Sequence, residues 1–197
     1  MTTFEQLLSG NDVVRIAKQL IGSEIFTKVN GVYTSGIITE TEAYAGENDR
    51  ASHAFGGKRT ARTETMYRKS GTAYIYLCYG MHHLFNIVTG PEGTPHAVLL
   101  RGIFPLTGNE WMRERMNKPS GKLQTIGPGR ASKALGISTS QNGIQIDGSV
   151  IGLKLPDVEL PEFEIITGRR IGVDYAGLDA ELPYRFFINK PELRFNP

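Results

Sequence analysis

The chain has 197 residues, 40% of them hydrophobic and 21% charged, and a formal net charge of +2. That length buries a core without staples, and the composition is that of an ordinary globular protein rather than a disordered one. No apolar run reaches the ~18 residues of a membrane span, the single cysteine, Cys78, excludes an internal disulfide, and a charge of +2 does not by itself name a nucleic acid as partner.

The N-terminal Met1–Gln6 lacks the basic start and apolar stretch of a secretory signal, so a reducing cytoplasm is the expected location. Residues 11–21 have a helical pattern: Asn11 or Asp12 caps, Val13, Val14, Ile16, Ala17, Leu20 and Ile21 form a stripe, and Gly22 ends it. From 24 to 44 the pattern is strand-like, with Asn30-Gly31 as a hairpin turn. A polar, glycine-rich loop fills 45–59 and a short helix is expected near 61–68. Ala73–Cys78 and Leu84–Thr89 predict a second hairpin across Gly80. A strand over Ala97–Ile103, a helix over Asn109–Met116 and a helix over Pro128–Leu135, with proline in its first turn, follow. Short strands broken by Pro and Gly return from 149 to 189. Consecutive strands outnumber helices, which predicts one mixed α+β domain over 1–197: a curved antiparallel sheet with a protruding hairpin, surrounded by short helices.

The residues able to do chemistry concentrate between Ile38 and Asn86. On a strand over 37–44, period-two geometry puts Glu40, Glu42 and Tyr44 on one face and Thr39, Thr41 and Ala43 on the other. Two carboxylates beside a ring form either a solvent-facing strand or a site in which one carboxylate is desolvated and made more basic. In the second hairpin Tyr74 and Tyr76 share a face; Tyr74 reads as a structural strand residue. Tyr79, beside Gly80 at the turn, is presented outward as a wedge between bases would be. Lys58, Arg59, Arg62, Arg68 and Lys69 face only Glu64, which suits either a phosphate-binding patch or a solvated surface. His53, His82, His83 and His96 show no metal-binding spacing. Cys78 reads as a core thiol.

Joined together, these segments resemble the alkyladenine (3-methyladenine, N-methylpurine) DNA glycosylases. The match runs through E-T-E-A-Y at 40–44, His53, G-G-K-R-T at 56–60 and G-T-A-Y-I-Y-L-C-Y-G-M at 71–81. It continues with Asn86, L-L-R at 99–101, G-P-G-R at 127–130 and R-I-G-V at 170–173. The resemblance implies a monofunctional enzyme of base excision repair that needs no metal or organic cofactor. Its partner is duplex DNA containing damaged purines, of the 3-methyladenine, 7-methylguanine, hypoxanthine and ethenoadenine class, and a monomer suffices.

On this resemblance Glu42 is the general base and Arg101 helps hold the attacking water. Tyr44, His53 and Tyr76 wall the pocket for the flipped base, and Asn86 crowds the exocyclic amino group of normal guanine. Tyr79 occupies the space the nucleotide leaves, and Lys58, Arg59, Arg130 and Arg169 contact the DNA backbone. No role attaches to His82 or His83. Three other readings use the same residues, one of them an RNA-directed enzyme with the same pocket, which comparison of duplex DNA with the matched RNA would separate. A non-catalytic module that binds lesions would not need a carboxylate near the backbone. A metal-assisted nuclease would use Glu40, Glu42 and His53 as ligands and would break strands directly.

Overall fold

The computed structural model describes residues 3–156, 165–189 and 191. Helix α1, Phe4–Leu8, is closed by a capping box between Thr3 and Gln6. Helix α2, Val13–Gln19, starts where the Asp12 carboxylate accepts from the Arg15 backbone N–H. Strands β1 (Glu24–Val29) and β2 (Val32–Tyr44) meet at Asn30 and Gly31, with φ of 53° and 76°. Both angles are what a primed hairpin turn requires, and Asn-Gly supplies them with little strain. In place of the helix expected near 61–68, a single 3₁₀ turn covers Glu64–Tyr67. Upstream, the Thr63 hydroxyl accepts from the Thr60 N–H at 2.8 Å and donates to the Lys58 carbonyl at 2.8 Å. Such local side-chain bonds compete with an α-helical ladder.

Strands β3 (Ala73–Cys78) and β4 (His82–Thr89) pair antiparallel from Ala73↔Ile87 to Cys78↔His82, leaving Tyr79-Gly80-Met81 as the turn. Strand β5, His96–Thr107, runs four residues beyond the expected end at Ile103. The long β2 still offers it partners there, and Pro105 is tolerated because the register shifts between Ser35 and Gly36. Helices α3 (Asn109–Arg115) and α4 (Pro128–Leu135) follow. Strands β6 (Ile151–Lys154), β7 (Ile165–Gly168) and β8 (Arg185–Ile188) bear out short strands in the tail. The part of that expectation over 157–164 lies outside the described residues.

All pairings are antiparallel, in the order β3-β4-β5-β2-β1-β6, with β8 joining β2 and β7 joining β8. This is the expected α+β architecture. β2 is its axis: it pairs with β5 over residues 35–44, with β1 over 32–37 and with β8 over 40–42. A bulge between Ile38 and Thr41 breaks the β2–β5 register. The two sheet faces carry different cores. Ala43, Ile75, Phe85, Ile87, Val98 and Leu100 belong to the main core, where α2 packs on β2 and α4 on β4 and β5. The alternate residues Tyr74, Val88 and Ala97 pack with Met66 and Tyr67, and Tyr44 packs with Ala51, Val173 and Ala176. The second face is therefore roofed by irregular chain, which leaves room for a cavity. Among the described residues no helix is long and apolar enough to cross a membrane.

Candidate active site

Alternation along β2 sets the site. Thr41 donates to the Ala17 carbonyl on the α2 side at 2.8 Å. Glu40, Glu42 and Tyr44 consequently project from the other face, as the period-two pattern predicts. Glu42 is fully buried. One carboxylate oxygen accepts from the Tyr44 hydroxyl at 2.9 Å, and the other from the Ile171 backbone N–H at 2.8 Å. Arg101 Nε lies 3.4 Å from that second oxygen and donates to Glu40 Oε1 at 2.9 Å. Burial pushes the Glu42 carboxyl above its ordinary range; Arg101, the Ile171 N–H and Tyr44 pull the other way, and Glu40 adds to the rise. Burial and the adjacent Glu42 carboxylate raise the Tyr44 phenol well above its ordinary value, so it stays a donor.

Beside this pair opens a cavity of about 450 Å³, bounded by Tyr44, His53, Tyr76, Asn86 and Arg101 and reaching Tyr79. Its size is that of a small-molecule pocket. His53 meets Tyr76 edge-on, with centroids 4.6 Å apart. Arg62 Nη2 donates to His53 Nε2 at 3.1 Å. The imidazole Nδ1–H then donates to the Tyr74 hydroxyl at 2.9 Å, the tautomer this arrangement demands. Burial, and then Arg62, lower the His53 value to about 4, so the ring is neutral near pH 7. Burial pushes Tyr74 up to about 12 and raises Tyr76 further. Asn86 Nδ2 donates to the backbone carbonyls of Tyr74 (3.1 Å) and Leu84 (3.3 Å), which fixes its amide against rotation.

Tyr79 is 89% exposed at the hairpin tip with φ of 50°, and its neighbour Met81 is exposed as well. A larger groove, about 730 Å³, lies on the β4 side of that tip along His82, Trp111 and Lys133, and contains no tyrosine. His82 flanks Gly129 there, and His83 Nδ1 accepts from the Thr139 N–H.

The structure thus gathers Arg101, Tyr44, His53, Tyr76 and Asn86 around one cavity, with Tyr79 at its edge and Glu42 behind its wall, in contact with Tyr44, Arg101 and Ile171. The four cations expected at the DNA backbone stand apart from it. Arg59 is bound to Glu64 by two hydrogen bonds of 2.8 and 2.7 Å and lies 4.8 Å from the Tyr67 ring centroid. Arg169 pairs with Glu181, and Lys58 and Arg130 are exposed. The core thiol is corrected: Cys78 is half-buried and lines the cavity, because β3 has left the main core by its last residue. Tyr74 is buried as a strand residue should be, yet its hydroxyl orients His53.

Sequence reasoning missed Arg62 and Arg170 as parts of the site. Arg62 lies 4.9 Å from the Tyr76 centroid. Arg170, whose side chain is buried, donates to the Ala43 carbonyl and to Asp49, and lies 4.9 Å from the Tyr44 centroid. Only the charge cluster and the R-I-G-V motif hinted at them. Among the described residues no group of three or more His, Cys, Asp or Glu is placed to hold a metal ion.

A family model described as methylpurine-DNA glycosylase matches residues 8–192. A protein of Chlamydia pneumoniae named "Putative 3-methyladenine DNA glycosylase" is 42% identical over 188 residues, 94% of each chain. Proteins of the same name from Bacillus cereus (strain AH820) and Bacillus thuringiensis (strain Al Hakam) are each 40% identical over 185 residues, 89% of this chain and 90% of theirs.

Proposed function

The chain belongs to the methylpurine-DNA glycosylase family, and on that premise we propose that it excises damaged purines from duplex DNA by hydrolysis. A purine buried in the stack exposes its glycosidic carbon to no enzyme group, so the nucleotide must first rotate out of the duplex. Tyr79, rigid and projecting, fills the gap. The base enters the cavity against Tyr44, His53 and Tyr76. Cationic bases such as 3-methyladenine and 7-methylguanine stack favourably on these electron-rich rings. The fixed Asn86 amide crowds the exocyclic amino group of normal guanine; 7-methylguanine carries the same group, but its cationic ring is already a good leaving group and offsets the poorer fit.

Glu42 then takes a proton from a water aimed at C1′ while the N-glycosidic bond breaks and the base leaves with the bonding electrons. The raised basicity of the buried carboxylate suits it to the task. Its negative charge also favours the cationic sugar of the transition state. Arg101, within reach of the same carboxylate, orients the water. The products are a free base and an abasic site. Residues 1–197 are read as one catalytic unit.

A single observation carries this reading: a fully buried carboxylate, hydrogen-bonded by Tyr44 and the Ile171 N–H with Arg101 3.4 Å away, lies directly behind these three residues, which line a cavity walled by aromatic rings beside an exposed tyrosine wedge. The test is a single-turnover assay on labelled duplexes carrying hypoxanthine, ethenoadenine or 7-methylguanine, with EDTA present. Strand breaks that appear only after alkali would identify base excision and rank the lesions. Breaks without alkali that appear only in a parallel reaction with Mg²⁺ and no EDTA would favour the metal-assisted nuclease, and tight binding without abasic sites a binding module.

A further inference from the structure

Glu40 has no part in the mechanism above, yet it is nearly as buried as Glu42 and stands between two arginines. Its Oε1 accepts from Arg101 Nε at 2.9 Å and from Arg185 Nε at 2.7 Å. Arg101 Nε is the same nitrogen that lies 3.4 Å from Glu42. The cluster is a row of alternating charges, Glu42–Arg101–Glu40–Arg185, in which one guanidinium serves two carboxylates and sits closer to Glu40. The fold builds it from three strands. The β2 bulge sets Glu40 opposite Gly102, where a Cβ would come within 3.1 Å of the Glu40 Cβ. β8 places Arg185 beside β2, with its guanidinium 4.4 Å from the Phe187 ring centroid.

We propose that Glu40 is a positioning residue, which together with Arg185 fixes where the Arg101 guanidinium sits and so how strongly it engages Glu42. Without the Glu40 charge, Arg101 is free to close on Glu42, its remaining anionic neighbour in the row. The base is then neutralised by a full ion pair. Without Arg185, Glu40 has Arg101 alone as counter-ion and draws it further from Glu42. The other groups around Glu42 are unchanged in both cases: Tyr44 on its own strand, the Ile171 N–H, and the more distant Arg170 charge and neutral Tyr175 phenol. This inference rests on the proposed role of Glu42 for its consequence in catalysis, but not for the arrangement itself.

The test reads the arrangement without DNA. Protein labelled with ¹³C at the glutamate carboxyls is titrated by NMR, the Glu42 signal being identified by its loss in Glu42→Gln. In Glu40→Gln the Glu42 midpoint should fall by about one pH unit, the effect of an opposite charge moving into contact. In Arg185→Gln it should rise. Opposed shifts accompanied by a displaced Arg101 Nε–H resonance are the signature; loss of the Glu40 charge alone lowers the midpoint while leaving that resonance in place, and that outcome would overturn the positioning role. Unmoved midpoints, or shifts in one direction, would overturn the proposal. Should Glu40→Gln fail to fold, Arg185→Gln at the more exposed end of the row decides alone: a rise with a displaced Arg101 Nε–H resonance supports the proposal, and no rise, or a rise with that resonance in place, overturns it. Excision rates separate the two readings. Opposed shifts in a protein whose Glu42→Gln variant still excises would uphold the arrangement and remove Glu42 as base.

Discussion

Glu42 shows how a single side chain is made reactive at the expense of the fold. Its side chain is fully buried, and the two hydrogen-bond donors and the nearby Arg101 do not restore the ordinary equilibrium, since its value is raised. A group whose folded value is raised above its unfolded one favours the native state while protonated. That contribution is complete below the unfolded value near 4.5 and is lost as pH rises through the folded value. Glu42→Gln, a permanent mimic of the protonated form, should therefore melt a few degrees higher than the parent at pH 7. Below pH 4.5 the difference should vanish. Thermal melts between pH 3.5 and 7.5 check this, and equal melting temperatures throughout would mean that the donors fully offset burial. His53 obeys the opposite sign. Its value of about 4 keeps the ring neutral across the physiological range, so protonation of His53 should not limit turnover above pH 5. The shared face of Glu40, Glu42 and Tyr44 was legible from alternation alone. What each of them touches was not, because the partners arrive from positions 101, 171 and 185.

The β3–β4 hairpin is the element that couples fold to recognition. Its turn holds Tyr79 in the left-handed region at φ 50°, where a bulky side chain is strained. Gly80, at φ 71°, adopts the same region freely. Tyr79→Gly should therefore leave thermal stability equal or higher while weakening binding to a lesion duplex and abolishing base flipping, as 2-aminopurine fluorescence would report. A variant that melts lower would make Tyr79 a structural turn residue instead. Both hairpins and the Pro128–Leu135 helix were legible because their signals are local: Asn-Gly, Gly80, and proline at the first helical turn. Extension of β5 to Thr107 was not, since Pro105 reads as a strand terminator until the length of β2 and its register shift are known. The 3₁₀ turn at 64–67 escaped for a related reason, as threonine hydroxyls outcompeted the helical ladder.

At the scale of the whole molecule, the second face of the sheet is closed by chain from far apart in sequence, and the Arg170–Asp49 pair is its clasp. Both side chains are buried; Arg170 Nη2 donates to Asp49 Oδ1 at 2.9 Å and Nη2 also to the Asp179 carbonyl at 3.0 Å. Asp49→Asn leaves a buried guanidinium without its counter-ion, which typically costs about 3–5 kcal/mol. In a chain of this size that should lower the melting temperature by roughly 10 °C. A drop of a degree or two would show that water or a neighbour replaces the pair. Net charge is small, so affinity for DNA must come from the placement of cations, several of which are already paired. The logarithm of the binding constant should fall linearly with the logarithm of salt concentration as phosphate counterions are released. A flat dependence would argue against the duplex as ligand. The central claim is that Glu42 activates the water, and single-turnover excision by Glu42→Gln tests it most directly. With protein saturating over a labelled duplex that the parent excises, the variant should bind with similar affinity and react about 10²–10⁴ times more slowly. A near-parental rate would contradict the account.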